Sequence, residues 1–159
     1  MARRVPTWAA AFAIALIMAG AANAAPTTSL TPAESSLLSA MNSARAAHGL
    51  QPLRADARLE RAARGHSSYM LRTGTFAHGA FATRIRRVGV RAPRIGENLA
   101  WASGSLTAAG TIVSMWLASP EHRANLLHPG FRLVGVGALR GSFDGQPNAL
   151  MVTTDFAGR

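Results

Sequence analysis

Five histidines and seven acidic residues carry whatever proton-transfer or metal chemistry this 159-residue chain performs, because it contains no cysteine. Thiol catalysis and cysteine-ligated zinc are thereby excluded. The densest polar stretch is SPEHRANLLHPGF, Ser119 to Phe131, which holds Glu121, His122, Arg123, Asn125 and His128. Adjacent side chains on a helix diverge by about 100°, so Glu121 and His122 do not form a carboxylate–imidazole dyad. His122 and His128 lack the i, i+4 spacing of a helical zinc pair, and no H-E-x-x-H is present. Glu121 reads as a capping or solvated residue, Asn125 as a hydrogen-bonding partner within the motif, and His128 as a helix-end residue that favours the C-terminal dipole. Upstream, His78 follows Phe76-Ala77 and precedes Gly79, a loop setting that suits either a cleft imidazole or one bonded to backbone. Glu97 lies between Gly96 and Asn98 with Ile95 and Leu99 beyond them, so its carboxylate is half-buried and needs a partner. Orienting a histidine, holding a loop and catalysing a reaction all fit such a residue. There is no G-x-S-x-G element to make Ser67, Ser68 or Ser119 a nucleophile.

The elements that must position these groups are legible from caps and periods. Thr31, Pro32 and Glu34 make a capping-box start for a helix closed by Gly49, with Leu37, Met41 and Ala44 inward. Asp56 caps a second helix ended by Gly74, with Leu59, Ala62, Ala63, His66, Tyr69 and Met70 on its apolar face and Arg58, Arg61 and Arg64 on its polar side. His66 and Tyr69 therefore read as core. A short helix is predicted around 81–88 and an extended piece over 97–102. Ser105 is the predicted cap of a third long helix, with Ala108, Ile112, Met115 and Trp116 inward, and Pro120 breaks it. RLVGVGALRG and NALMVTTDFAG alternate with period two around Asp144-Gly145, a hairpin signal. Helices first and a hairpin last imply an α+β fold.

The first 24 residues read as an export signal: Arg3-Arg4, an apolar run from Trp8, and Ala22-Asn23-Ala24 at a cleavage site. The apolar run is shorter than the roughly 20 residues that span a bilayer. Residues 25–30 form a linker, and no transmembrane segment is expected in the mature chain. The formal net charge of +10 rests entirely on arginine, because lysine is absent. Outside the cytoplasm the counter-surfaces for such charge are envelope polymers and lipid head groups rather than nucleic acid. Arg84, Arg86, Arg87, Arg91 and Arg94 form the densest basic run.

The ordered series AARGHSSYM, FAH, IGENLA, WLASPEHRANLLHPGFRLVGVG and TTDFAG resembles the CAP superfamily, which comprises cysteine-rich secretory, antigen-five and pathogenesis-related-one proteins, in its short bacterial form. The resemblance covers essentially 31–158 as one domain. It implies an α-β-α sandwich with a central antiparallel sheet, including a strand near Glu97. It also implies a cleft lined by His78, Glu97 and His122, with His78 and His122 as holders of zinc or another divalent metal. Many eukaryotic relatives carry a second Glu three residues after the tryptophan of the third helix; here Ser119 stands there. The expected function is a secreted or periplasmic binding module for a lipid, sterol, glycan or envelope polymer, with no catalytic residue assigned. The alternatives are a metal-assisted hydrolase of peptides or cell wall, and a purely structural interaction protein.

Overall fold

The computed structural model describes residues 29–159, so the predicted export signal lies outside the described residues. Helix α1 (Pro32–Ala47) opens with the capping box: the Thr31 hydroxyl accepts the Glu34 amide, and Glu34 Oε2 accepts the Thr31 amide at 2.8 Å. The Glu34 carboxylate has a second task, since Arg64 donates to both of its oxygens at 2.7 and 2.5 Å. Arg64 thus leaves the solvated set to which its helix face assigns it. Strand β1 (Arg54–Ala55) precedes α2 (Ala57–Thr73), which is capped by Asp56 and stopped by Gly74 in the left-handed region at φ 64°. Next come α3 (Phe81–Arg87), β2 (Arg94–Ala102), a 3₁₀ turn at Gly104–Thr107, α4 (Ala109–Ala118) and α5 (Pro120–Leu126). The chain ends in β3 (Phe131–Phe143) and β4 (Gln146–Gly158), turned by Asp144 and Gly145, both at positive φ as a tight hairpin requires.

The sheet order is β1-β3-β4-β2. β2, β4 and β3 are antiparallel, as expected, but β1 adds a two-residue parallel pair with β3, Arg54 opposite Leu133 and Ala55 opposite Val134. So short a strand inside LQPLRADARL leaves no period to read. Helices cover both faces, giving the predicted sandwich. On one face Val134, Val136, Leu150 and Val152 meet Leu37 and Met41 of α1 and Ile112, Val113 and Trp116 of α4. On the other face α2 lies directly on β3. A Cβ at Gly135 or Gly137 would overlap the α2 backbone at Leu59–Glu60 or Ala63–Arg64, so these glycines serve close approach rather than flexibility.

Three expectations fail for identifiable reasons. Ser105 caps nothing, because the 3₁₀ turn intervenes and α4 starts only at Ala109. Ala108 therefore lies outside the helix and is exposed; within α4 Ile112 and Trp116 are inward as expected, but Met115 is exposed and Val113 takes the place in the core. Tyr69 is half exposed and stacks on His66 rather than entering the core, because no element covers that flank of α2. Replacing Gly137 with Ala must push α2 away from the sheet, since the obstructing atoms are backbone. We expect destabilisation of about 3 kcal/mol, read as a lowered urea midpoint with an unchanged m-value.

Candidate functional site

Alternation along β2 decides which side chains meet which helix layer. Asn98 and Ala100 face the α4–α5 side, whereas Glu97 and Leu99 face α2 and α3. In register, Glu97 stands opposite Asp155 of β4, so two carboxyl groups share one face of neighbouring strands. Both are buried. His78 Nδ1 donates to Glu97 Oε1 at 2.7 Å. Arg84 of α3 donates through Nη2 to Glu97 Oε2, and the same nitrogen lies 3.8 Å from Asp155 Oδ1. Arg84 Nη1 also donates to the His78 carbonyl at 3.3 Å, tying the FAH loop to α3.

One guanidinium cannot neutralise two buried carboxylates. Glu97 receives donors on both oxygens, whereas no donor among the described residues reaches either oxygen of Asp155. Burial, and then the neighbouring Glu97, push the Asp155 carboxyl up to about 8. Burial also raises Glu97, against the pull of Arg84. The pair therefore shares a proton at neutral pH, with Asp155 as its holder and Glu97 as the ionised, bracketed partner.

His122 joins this group only at its margin. It belongs to α5, whose contacts fall on the Asn98 side of β2. Its carbonyl accepts from Asn98 Nδ2 at 2.9 Å, while its half-buried ring makes no hydrogen bond among the described residues. Burial and the nearby His78 lower its pKa. Asn125 completes the tie, donating to the Glu97 carbonyl and to Asn98 Oδ1, both at 3.0 Å. Gly96 carries no side chain because a Cβ there would meet Asn125 Oδ1 at 2.7 Å and the Phe131 ring at 2.9 Å.

Other sequence readings sort cleanly. His66 is buried and donates from Nε2 to the Ala77 carbonyl at 2.9 Å, and burial followed by Arg84 brings its pKa down to about 4. It is a neutral core residue that anchors the loop bearing His78. His128 is not a dipole-capping cation: its Nδ1 accepts the Gly130 amide at 3.0 Å and the ring packs on Phe131, so protonation would cost that bond. Ser67 donates to the Gly137 carbonyl at 2.8 Å from a buried position and is structural. Trp101, on the Glu97 face of β2, packs against Phe143, which in turn meets Phe76. Sequence reasoning did not single out Arg84 or Asp155. Asp155 carries one legible signal, the lone charged residue of its strand.

Among the described residues, no group of three or more histidine, aspartate or glutamate side chains is placed to hold a metal ion, and no helix is long and apolar enough to cross a membrane. With both Glu97 oxygens engaged, the donors left for a cation are the imidazoles of His78 and His122.

The architecture and the motif order meet in one comparison: residues 38–156 match the cysteine-rich secretory protein family, CAP. The chain belongs to the CAP family. It is 32% identical over 115 residues to the uncharacterized protein YkwD of Bacillus subtilis (strain 168), a match spanning 69% of this chain and 44% of that protein. Among solved structures it is similar to an extracellular protein containing an SCP domain from Bacillus anthracis. That pair is 26% identical with a TM-score of 0.67, over 84% of this chain and 45% of that one. A cysteine-rich secretory protein from Staphylococcus aureus shares the fold at 20% identity and a TM-score of 0.65, over 80% and 38% of the two chains. The chain thus spans less than half the length of these relatives.

The carboxyl pair of this CAP domain makes its stability pH-dependent in a definite direction. An Asp held near 8 when folded keeps a proton that the unfolded chain releases near its ordinary value of 3.8, so stability is lost as pH rises towards 8. His66 acts oppositely, but its contribution is complete above its unfolded value of 6.5. Between pH 6.5 and 8 the Asp155 effect is therefore uncovered. Urea midpoints should fall across that window in the wild type and stay nearly level in Asp155→Asn; parallel falls would contradict the assignment.

Proposed function

We propose that this CAP domain is an exported ligand-binding module that works at an envelope surface, with His78, Glu97 and His122 lining its polar cleft. The observation that supports binding over hydrolysis is the state of Glu97. A general base needs a carboxylate oxygen free to take a proton from water, and both Glu97 oxygens already accept from His78 and Arg84. Asp155 is fully buried and protonated at neutral pH, and Ser119 stands where relatives carry a further acid. Export is supported by the signal-like residues 1–24 and by likeness to an extracellular protein of Bacillus anthracis. Without Arg3 and Arg4 of that segment the net charge of +10 becomes +8, all borne by arginine, which supports association with anionic surfaces.

The same cleft suits weak uptake of zinc or another divalent ion. His78 gives Nδ1 to Glu97, the arrangement by which carboxylates orient ligating histidines, so Nε2 is its remaining donor. His122 offers the second imidazole, and two protein ligands make an open site rather than a closed structural one. A bound ion would supply a Lewis acid for an electron-pair donor on the ligand.

Calorimetric titration of zinc should show one site in the wild type, weakened about tenfold or more in His78→Ala, in His122→Ala and in Glu97→Gln. Equal binding in all four proteins would remove the metal. Peptide and peptidoglycan substrates should remain intact on incubation with the purified protein. Cleavage that disappears in Glu97→Gln would instead establish the hydrolase.

A further inference from the structure

Away from this cleft, a second concavity of about 840 Å³ opens at the β3–β4 end of the sheet. Arginines converge on it from separate places in the chain: Arg54 in β1, Arg58 at the start of α2, Arg91 in the loop before β2, Arg132 in β3, and Arg159. Only Arg58 has a carboxylate partner among the described residues, Asp56 at 2.8 Å. Val90, Leu133 and Ala157 supply an apolar floor. Gly130 and Gly158 let the ends of β3 and β4 pass at backbone contact, because a Cβ on Gly158 would overlap the Gly130 carbonyl. The side formed by Leu133 and Ala157 is thus built on packed sheet, while residues 89–93, between α3 and β2, supply another part of the lining.

Converging guanidinium groups repel one another, by about 1 kcal/mol per pair at 4 Å in water and by more where the medium is less polar. A single carboxylate would leave most of that repulsion in place. A phosphate group relieves it better: it carries up to two charges, and its oxygens match the planar guanidinium fork in bidentate pairs. We propose that this cleft is a phosphate-binding site, taking a phosphate group attached to a short apolar portion that rests on Val90, Leu133 and Ala157. The cleft shares no lining residue with the His78–Glu97 site.

The test is titration of the purified chain with inorganic pyrophosphate at about 0.15 M salt, where diffuse surface attraction is screened beyond roughly 8 Å. Arg54 and Arg91 are exposed and make no hydrogen bond or ion pair through their side chains among the described residues, so Arg54→Gln/Arg91→Gln should fold normally, checked by its thermal unfolding. It should bind pyrophosphate about tenfold or more weakly than the wild type. The charge-matched Arg61→Gln/Arg140→Gln, on the outer face of α2 and at the far end of β3, should bind within about twofold of the wild type, as should His78→Ala. No binding by the wild type, or equal loss in the control double variant, would overturn the proposal. Two further arms identify the source of the phosphate. Sedimentation with phosphatidylglycerol but not phosphatidylcholine vesicles, lost in Arg54→Gln/Arg91→Gln, assigns a lipid head group. Displacement of pyrophosphate by glycerol 3-phosphate without vesicle binding assigns a soluble phosphate ester.

Discussion

One buried guanidinium ties the first helix to the C-terminal half of the chain. Arg45 is inaccessible to solvent, and its nitrogens donate to the carbonyls of Gln51, Leu126, His128 and Phe131 at 2.8 to 3.2 Å. No carboxylate accompanies it among the described residues; the carbonyl of Leu126 at the C-terminal end of α5, negative by virtue of the helix dipole, takes that place together with the carbonyls of Gln51, His128 and Phe131. Burial lowers its pKa, yet an arginine stays charged, so the cost of desolvation is offset by hydrogen bonds of the stronger, charge-assisted kind. Fixing the end of α5 fixes Asn125, the residue before Leu126. Asn125 in turn holds the Glu97 carbonyl and the Asn98 side chain, and with them the edge strand β2. The position of the Glu97 carboxylate is thus inherited, through two hydrogen-bonded steps, from a residue in α1. Without cysteine, contacts of this sort do the work that cross-links do in small exported domains.

Sheet register then creates the electrostatic problem that defines the site. Like charges directly opposite each other in a sheet are unfavourable, and here burial removes the water that would screen them. Arg84 can neutralise one charge, and His78 adds a donor on the same carboxylate, so the arrangement settles by leaving the proton on Asp155. That solution makes Glu97 a fixed acceptor, holding one imidazole nitrogen in place and presenting the other outward. A carboxylate engaged in this way orients its neighbours.

What was legible in the sequence was what local geometry decides. The capping box of Thr31 and Glu34, the Asp56 cap, the Gly74 stop and the Asp144-Gly145 turn all depend on residues within a few positions of each other, and all are present. The sandwich and the strand through Glu97 followed from the order of family motifs. Contacts set by register and helix placement were not legible. Arg84 reads as one member of a solvated basic run until α3 is seen to lie over β2, and Asp155 gains meaning only when β4 is aligned against β2. Tyr69 and Met115 fall on predicted inward faces, but periodicity says where a side chain points on its own helix and not whether a neighbour waits there. Glu34 shows the opposite case, a cap readable from sequence whose second role, receiving Arg64, needed the packing of α1 against α2.

The basic run from Arg84 to Arg94 therefore has no single role. Arg84 is partly buried and spent on Glu97, Arg86 and Arg87 end α3 in solvent, Arg91 turns into the arginine cleft, and Arg94 begins β2. Reversing all five charges together would remove a buried partner of Glu97, leave two carboxylates with one histidine between them, and empty one wall of the cleft. A loss of envelope association after such a change could not be assigned to surface charge, because the fold beneath it would have lost its compensation. Net charge is a property of composition; where it acts is decided by the three or four residues of α3 and its following loop that divide the run between the interior and two different surfaces.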